Sequence, residues 1–523
     1  MNKEKIIIMA EKYFNPDRKV KLHTYNKADL FISILLILFS FVISLFFIRV
    51  YMNKPFWHDE AYSFLIAAKS FSDIIKALIP DSGAPLYYFL LHIWLKIFGI
   101  TETAVRSLGI FLSFFGVAAV YVLSYKILNR KIFAFIVALL FSVSQLNVAQ
   151  AATARMYPLF SLLCILSSIL FIEIFINNNK NKFNSVAFVA AGILGFLTHY
   201  WYVLFFISQF VYLLFFNTKQ IFSKTFLFPP FLFAVLWGYF FYKQFGNAAL
   251  AWLTFSEEVL IWTYNYAFYE RTSKLYFFGA ISVITFIGIS FIKKQNVIIY
   301  AKNSILESLC NKKLIYMFIN FIMVLMLAYV ISKFKPIYCA DRQPIILLPS
   351  FLIISIYFIY KFSNKILLLA LISIFVLRLS IRPYEMKTAD FKNEEIKCRV
   401  VSYNYKNNDI IIIPGLQRSV FLYYSEKNGI NKDVKVFSVP AEIEQHPGWQ
   451  TPPGKDGIDK IVIPETRKIL DGYKKDLRKN NARLIFFTLG RDELTNAVFN
   501  EISKQMKIYK RIHFNDGDMI IFY

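Results

Sequence analysis

The run LFISILLILFSFVISLFFIRV, residues 30 to 50, carries no charge before Arg49. At 1.5 Å per residue it crosses a hydrocarbon layer of about 30 Å, and a segment crossing that layer must satisfy its own N–H and C=O groups as a helix or a closed barrel. Such runs recur at about 103–125, 132–149, 157–176, 184–198, 202–217, 226–243, 275–292, 313–332, 343–361 and 365–381. Their length and lack of strict alternation predict an all-α polytopic membrane domain of about eleven transmembrane helices plus juxtamembrane helices. Charged residues make up only 18% of the 523 positions and hydrophobic ones 57%, which excludes an ordinary soluble enzyme for most of the chain. No small-residue cleavage site follows the first run, so it is expected as a retained span.

The basic residues give the spans a direction. Lys3, Lys5, Lys12, Arg18, Lys19, Lys21 and Lys27 precede the first one. On an eleven-span register, the loops with Lys126, Arg130 and Lys131, then Lys180 and Lys182, then Lys219 and Lys224, fall on the same side. Positive residues stay inside, so the N-terminus is expected in the cytoplasm and the C-terminus beyond the plasma membrane. This works only if PLYYFLLHIWLKIFG, residues 85–99, does not cross. It reaches about 22 Å as a helix and is expected to lie in the interface. The formal net charge of +25 is then largely a topology signal that also suits anionic membrane lipids, and it implies no nucleic-acid partner.

Near residue 384 the composition shifts. Residues 1–384 are expected to form the membrane domain and 385–523 a small extracytoplasmic α/β domain. The apolar runs DIIIIPG (409–415), VKVFSVP (434–440), KIVIP (460–464) and ARLIFFTLG (482–490) are expected as strands, with a final hairpin turning at Asp516-Gly517. ILDGYKKDLRKN and ELTNAVFNEISKQM have helical spacing. Cys339 and Cys398 both fall outside the cytoplasm, where a disulfide is permitted. The chain has no Gly-rich phosphate loop with its lysine and no CxxC, so neither ATP-driven transport nor thiol redox chemistry has a motif behind it.

The polar residues of the membrane domain collect at its outer face. Asp59 and Glu60 stand in KPFWHDEAYSF after the first span, Arg106 in TETAVRSLG, Arg155 and Tyr157 in ATARMYPLF, His199 and Tyr200 in LTHYWYV, and Asp341 and Arg342 in KPIYCADRQP. Two acids, three arginines and a histidine at one surface predict a site that grips an anion on its arginines and keeps a carboxylate for proton transfer.

WHDEAYS after the first span, then APLYYFLLHIWLKIFG, TAVRSLGIFLS, ARMYPLFSLL, the THYW tip and the arginine before ILLPSFLI, taken in this order, resemble the GT-C glycosyltransferases that use lipid-linked sugars. The resemblance is to the group of protein O-mannosyltransferases and the lipid A aminoarabinose transferase, over residues 30–360. It implies transfer of a sugar from a polyprenyl-phosphate donor to a hydroxyl of a lipid, glycan or protein acceptor on the extracytoplasmic face, with inversion. Asp59 is then the expected base, and Glu60 helps to orient it or holds a divalent metal ion with it. Arg342, Arg106 and Arg155 are expected on the donor phosphate, and Tyr157, His199, Tyr200, Tyr87 and Tyr88 in contact with substrate. One departure is the stretch DSGAP, where the aminoarabinose transferases carry an acid and a lysine before the proline. Asp81 can supply the acid here, but no lysine is present. The alternative is a lipid or sugar transporter or flippase that breaks no bond. It would place ionisable residues at the bilayer midplane in repeated halves with broken helices.

Overall fold

The computed structural model describes residues 27–52, 54–81, 83–179, 181–244, 255–263, 311–362, 394–428, 435–441, 457–479, 482–490, 492–515 and 517–523. The basic N-terminal segment, the spans read at 275–292 and 365–381, the boundary near 384 and Asp516 of the hairpin turn lie outside the described residues.

In chain order the membrane part comprises α1 (Lys27–Met52), α2 (His58–Ala67), α3 (Phe71–Leu78), α4 (Leu86–Phe98), α5 (Glu102–Leu128) and α6 (Lys131–Val143). After these come α7 (Gln145–Ala151), α8 (Tyr157–Phe171), α9 (Lys182–Phe196), α10 (Tyr202–Phe216), α11 (Lys224–Gln244), α12 (Lys312–Phe334) and α13 (Leu348–Phe362). Helices α1, α5, α11 and α12 are long and apolar enough to cross a bilayer, as is α8 together with the π-helical turn Ile172–Ile176 that ends it. The outward residues of α1, Leu30, Phe31, Phe39 and Val42 among them, are exposed, as lipid-facing positions must be. The protein is a multi-pass membrane protein.

Two expectations change in detail. The run at 132–149 is not one straight span: α6 and α7 meet at 57°. Ser144 makes the break, accepting the N–H of Asn147 as the N-cap of α7, because its hydroxyl offers the backbone an alternative partner. The stretch 184–217 forms two helices of 15 residues each, α9 and α10, turning at 197–201. At about 22 Å apiece they are short for a bilayer, as is the 13-residue α4.

Helix α5 is the hub, packing against α1, α6, α7 and α8. At Gly109 it passes so close to the chain end of α7 that an added Cβ would lie 2.7 Å from the carbonyl oxygen of Ala151 and 3.2 Å from that of Thr153. Only glycine allows this approach, which sets the position of Ala154 and Arg155.

The C-terminal part contains α14 (Glu394–Asn404), β1 (Ile410–Pro414), α15 (Arg418–Lys427), β2 (Lys435–Val439), α16 (Ile463–Lys479), β3 (Leu484–Thr488), α17 (Glu493–Ser503), β4 (Ile508–His513) and β5 (Asp518–Phe522). The sheet order is β2-β1-β3-β5-β4. The β2, β1 and β3 strands are parallel, and β5 pairs antiparallel with β3 and β4. Strands β1, β3 and β5 are buried throughout, so they read as continuous apolar runs. KIVIP is not a strand. It forms the π-helical turn Ile458–Val462 and the start of α16, which runs on from that turn through Pro464. Short apolar runs do not separate a buried strand from a buried helix start. Cys339 and Cys398 are free thiols, the latter fully buried.

This part rests on the loop and helix that carry the acid pair. The Phe56 N–H donates to Tyr424 Oη at 2.8 Å, and Ser419 Oγ to the carbonyl of His58 at 3.3 Å. Tyr423 donates to the carbonyl of Ile100 at 2.9 Å and packs its ring on Phe56 and Phe64. Lys427 bridges to Glu102 at 2.7 Å.

Candidate active site

Helix α2 begins with its acids. Asp59 and Glu60 fall in the first turn, where unpaired backbone N–H groups favour negative charge. Adjacent residues on a helix point about 100° apart, so the two carboxylates face different neighbours.

Glu60 is 1% exposed and Arg106 2%. Arg106 donates Nε to Glu60 Oε1 at 2.8 Å and Nη2 to Oε2 at 2.7 Å, while the Ala154 N–H donates to Oε1 at 3.0 Å. The rest of the guanidinium goes to the carbonyls of Met52 (3.0 Å), Lys54 (2.5 Å) and Pro55 (3.2 Å), with Tyr51 farther off at 3.4 Å. Every side of Arg106 is engaged, so it clamps the C-terminal end of α1 to α5 and α2 and leaves no fork for a phosphate. The expectation for Arg106 gives way to that role, and with it the expectation of a working role for Glu60.

Asp59 collects the other cations. Arg342 Nη1 donates to Oδ2 at 2.8 Å, Arg155 Nη2 lies 3.9 Å from the same oxygen, and His58 Nε2 is 2.9 Å from Oδ1. Burial raises the pKa of this carboxyl, but Arg155, His58 and Arg342 more than reverse that and hold it well below the usual carboxylate range. Neither pair of oxygens suits a divalent ion: those of Glu60 are filled by N–H donors, and those of Asp59 are taken by the arginines at Oδ2 and by His58 at Oδ1. The metal expectation therefore does not fit these residues. Among the described residues no group of three or more acids, histidines or cysteines is arranged to hold one.

Arg155 lies at the centre. Its Nη1 reaches the carbonyl of Asp59 and the hydroxyl of Ser63, each at 3.3 Å. Burial lowers its pKa, while Asp59, Tyr88, Tyr157 and Asp81 around it raise it by more. Its Nε is buried and, among the described residues, has no hydrogen-bond partner; nor has the hydroxyl of Tyr87. Asp81, which sequence reasoning treated only as a substitute acid, accepts the hydroxyl of Tyr62 at 2.9 Å. Arg342 stacks over Trp57 at 5.2 Å. It caps the short 3-10 turn Gln343–Ile346 that carries Pro344, so the α-helix macrodipole begins only after it.

The remaining expected contacts divide. Tyr87, Tyr88 and Tyr157 are buried beside Arg155. Tyr200 is fixed elsewhere: its hydroxyl accepts from Trp237 at 2.9 Å and bonds Gln244, whose amide donates to the carbonyls of Leu78 (2.6 Å) and Gly83 (3.0 Å). It braces the DSGAP loop. His199 is stacked on Phe160 at 4.8 Å and accepts the Trp201 N–H at 3.1 Å. Burial, then Arg155, lowers its pKa to about 3, so it is neutral in the fold. Sequence reasoning passed over His58, although it sits directly before Asp59 in the quoted motif.

The profile of the family described as dolichyl-phosphate-mannose-protein mannosyltransferase matches residues 82–241. No protein of curated function matches the chain in sequence. Among solved structures, ArnT from Cupriavidus metallidurans in the apo state superposes with a TM-score of 0.59 at 9% identity, covering 95% of this chain and 98% of that one. The same protein bound to undecaprenyl phosphate gives 0.56 at 9%, covering 93% and 97%. At this identity the likeness is one of fold, and it is the GT-C fold. The chain thus shares the GT-C fold of ArnT over nearly its whole length, and its residues 82–241 resemble the mannosyltransferase family.

Proposed function

We propose that this protein transfers a sugar from a polyprenyl-phosphate donor to an acceptor hydroxyl at the extracytoplasmic face, with Arg155 and Arg342 holding the donor phosphate beside Asp59. The observation that carries the reading is Arg155: a buried guanidinium whose Nε has no partner among the described residues, next to a second arginine on the same carboxylate. A planar fork with an unused N–H is suited to a phosphate oxygen. The solved relative bound to undecaprenyl phosphate supports the donor class.

The chemistry follows from the leaving group. As the bond from the sugar C1 to the phosphate oxygen breaks, negative charge gathers on phosphate, and two preorganised guanidinium groups stabilise it without a general acid. Positive charge develops at C1, and the Asp59 carboxylate, kept ionised by its cations, offsets it. Attack on the face opposite the phosphate inverts C1. The expected outward placement of the C-terminal domain is checked with Tyr509→Cys, an exposed position on β4. It should react with an impermeant maleimide on intact cells.

The test of the transfer itself uses purified protein, membranes from cells lacking the chain as acceptor source, and undecaprenyl phosphate carrying tritiated mannose, glucose, galactose or aminoarabinose. Release of undecaprenyl phosphate with label passing to the membranes supports transfer. Label crossing sealed vesicles on an intact donor indicates a flippase and refutes the proposal.

A further inference from the structure

Arg155 and Arg342 come from segments far apart in the chain, yet both bring a guanidinium to Asp59 Oδ2. Two like charges repel, so their spacing needs a support besides the carboxylate between them. Gln150 supplies one. It is buried, 8% exposed, in the last turn of α7. Its carbonyl accepts the N–H of Thr153 at 3.3 Å and the hydroxyl of Thr153 at 3.1 Å, and the Thr153 carbonyl in turn accepts the N–H of Arg155 at 2.9 Å. Its side-chain Nε2 donates to the carbonyl of Asp341 at 2.9 Å, one residue before Arg342. A single residue thus ties the backbones that carry both arginines.

Each of the two segments has its own internal order. The Arg342 N–H donates to the carbonyl of Cys339 at 3.2 Å, and the Cys339 N–H to Oε1 of Gln343 at 3.0 Å. On the other side, the close pass of Gly109 limits where the carbonyls of Ala151 and Thr153 can lie. Helix α8 packs against the 3-10 turn that follows Arg342, which brings the segments together. Apolar contact of that kind lets surfaces slide, whereas a hydrogen bond of normal length fixes a distance and a direction. The bond from Gln150 to Asp341 therefore sets the register in which the two arginines meet.

We propose that Gln150 is a positioning residue of the donor site, holding Arg155 and Arg342 at the separation that lets both grip one phosphate. The inference rests on the phosphate reading above and deepens it. At its outer end Arg342 is held by Asp59 at 2.8 Å and by stacking over Trp57. A bound phosphate competes with Asp59 for the same N–H groups, so that hold weakens when the donor arrives. The hold on the backbone does not, because the Asp341 carbonyl and the Gln150 amide take no part in binding the anion. Gln150 is also neutral, so replacing it changes the geometry of the site and leaves its charge as it was.

The test is equilibrium binding of tritiated undecaprenyl phosphate to the full chain in lipid nanodiscs. Gln150→Leu keeps the bulk and removes the donor; it should weaken binding about tenfold and raise donor KM by a similar factor. The amount of acceptor membranes needed for half-maximal rate should stay as in the wild type. Gln150→Asn keeps the amide on a shorter stem, should fall between the two, and replaces the leucine variant if that one does not fold. The deciding measurement repeats the substitution in an Arg342→Lys background, which retains measurable binding through its charge but has no planar fork to aim. There the loss from Gln150→Leu should shrink to about twofold or less. An equal loss in both backgrounds makes Gln150 a general structural residue and overturns the proposal. Wild-type affinity in Gln150→Leu, or failure of both Gln150 variants to fold, overturns it as well. A wild-type chain that binds no undecaprenyl phosphate removes the phosphate reading and this inference with it.

Discussion

Replacing Glu60 with alanine tests whether the second acid of the pair serves the fold or the chemistry. The substitution removes the acceptor of three N–H groups, two of them on the fully buried Arg106. A unit charge pair about 4 Å apart is worth about 4 kcal/mol at an effective dielectric of 20. Breaking a buried pair by removing one partner costs about 3–5 kcal/mol, because the other charge stays behind. The two figures agree, and a loss of about 4 kcal/mol is a large part of the stability of an ordinary domain. The measurement is the unfolding midpoint in mixed micelles of rising SDS content, followed by tryptophan fluorescence. Glu60→Ala should unfold at clearly lower SDS, and Glu60→Gln should fall between it and the wild type. The double variant Glu60→Met/Arg106→Met should recover only partly. Removing both charges ends the charge imbalance but leaves the carbonyls of Met52, Lys54 and Pro55 without their donor. Protein that survives at low temperature should bind undecaprenyl phosphate normally. A Glu60→Ala variant with a wild-type midpoint and no turnover would refute this reasoning and put Glu60 back into the reaction.

Other substitutions should separate the remaining roles. Asp59→Asn should lower turnover about 10²-fold while tightening undecaprenyl phosphate binding, since the carboxylate competes with phosphate for Arg155 and Arg342; weaker binding in a titration would argue against a phosphate on those arginines. Arg155→Lys keeps the charge but loses the free Nε, and should raise donor KM more than it changes the folding midpoint. His199 has a folded pKa of about 3 against 6.5 when unfolded. The unfolded chain therefore binds the extra proton in that window, and stability present above pH 6.5 is lost as pH falls towards 3, at up to about 1.4 kcal/mol per unit. His199→Gln should flatten the acid limb of a pH series of unfolding midpoints. Gly109→Val should abolish assembly, because its Cβ would lie 2.7 Å from the carbonyl oxygen of Ala151, and recovery of folded protein would show that the segment before Arg155 is free to shift.

The long spans were legible because lipid demands an uninterrupted apolar run, and α1, α5, α8, α11 and α12 each follow one. The break at Ser144 was not, because a single serine in an apolar run is compatible with a straight helix. Strands β1, β3 and β5 were legible as apolar runs, while KIVIP, with the same composition, was taken by a helix. Composition does not say which period a five-residue run will follow. The gathering of Asp59, Arg155 and Arg342 was visible as residue type and membrane side. Which arginine had spare donors was not, since that depends on carbonyls at 52, 54 and 55 that no sequence pattern marks.

The acid pair shows the limit most clearly. Two adjacent carboxylates invite a joint function, a metal or a shared proton, but the helix they begin sends them apart. Glu60 turns towards α5 and meets a guanidinium held by backbone carbonyls, so its charge is spent inside the fold. Asp59 turns towards Arg155 and Arg342, whose charge exceeds its own by one, and this surplus makes the site ready for a phosphate. The surplus also depresses the carboxyl that sequence reasoning made the base. A carboxylate beside two arginines binds a proton weakly while the site is empty, and a donor phosphate on those arginines would cancel their surplus and raise its proton affinity.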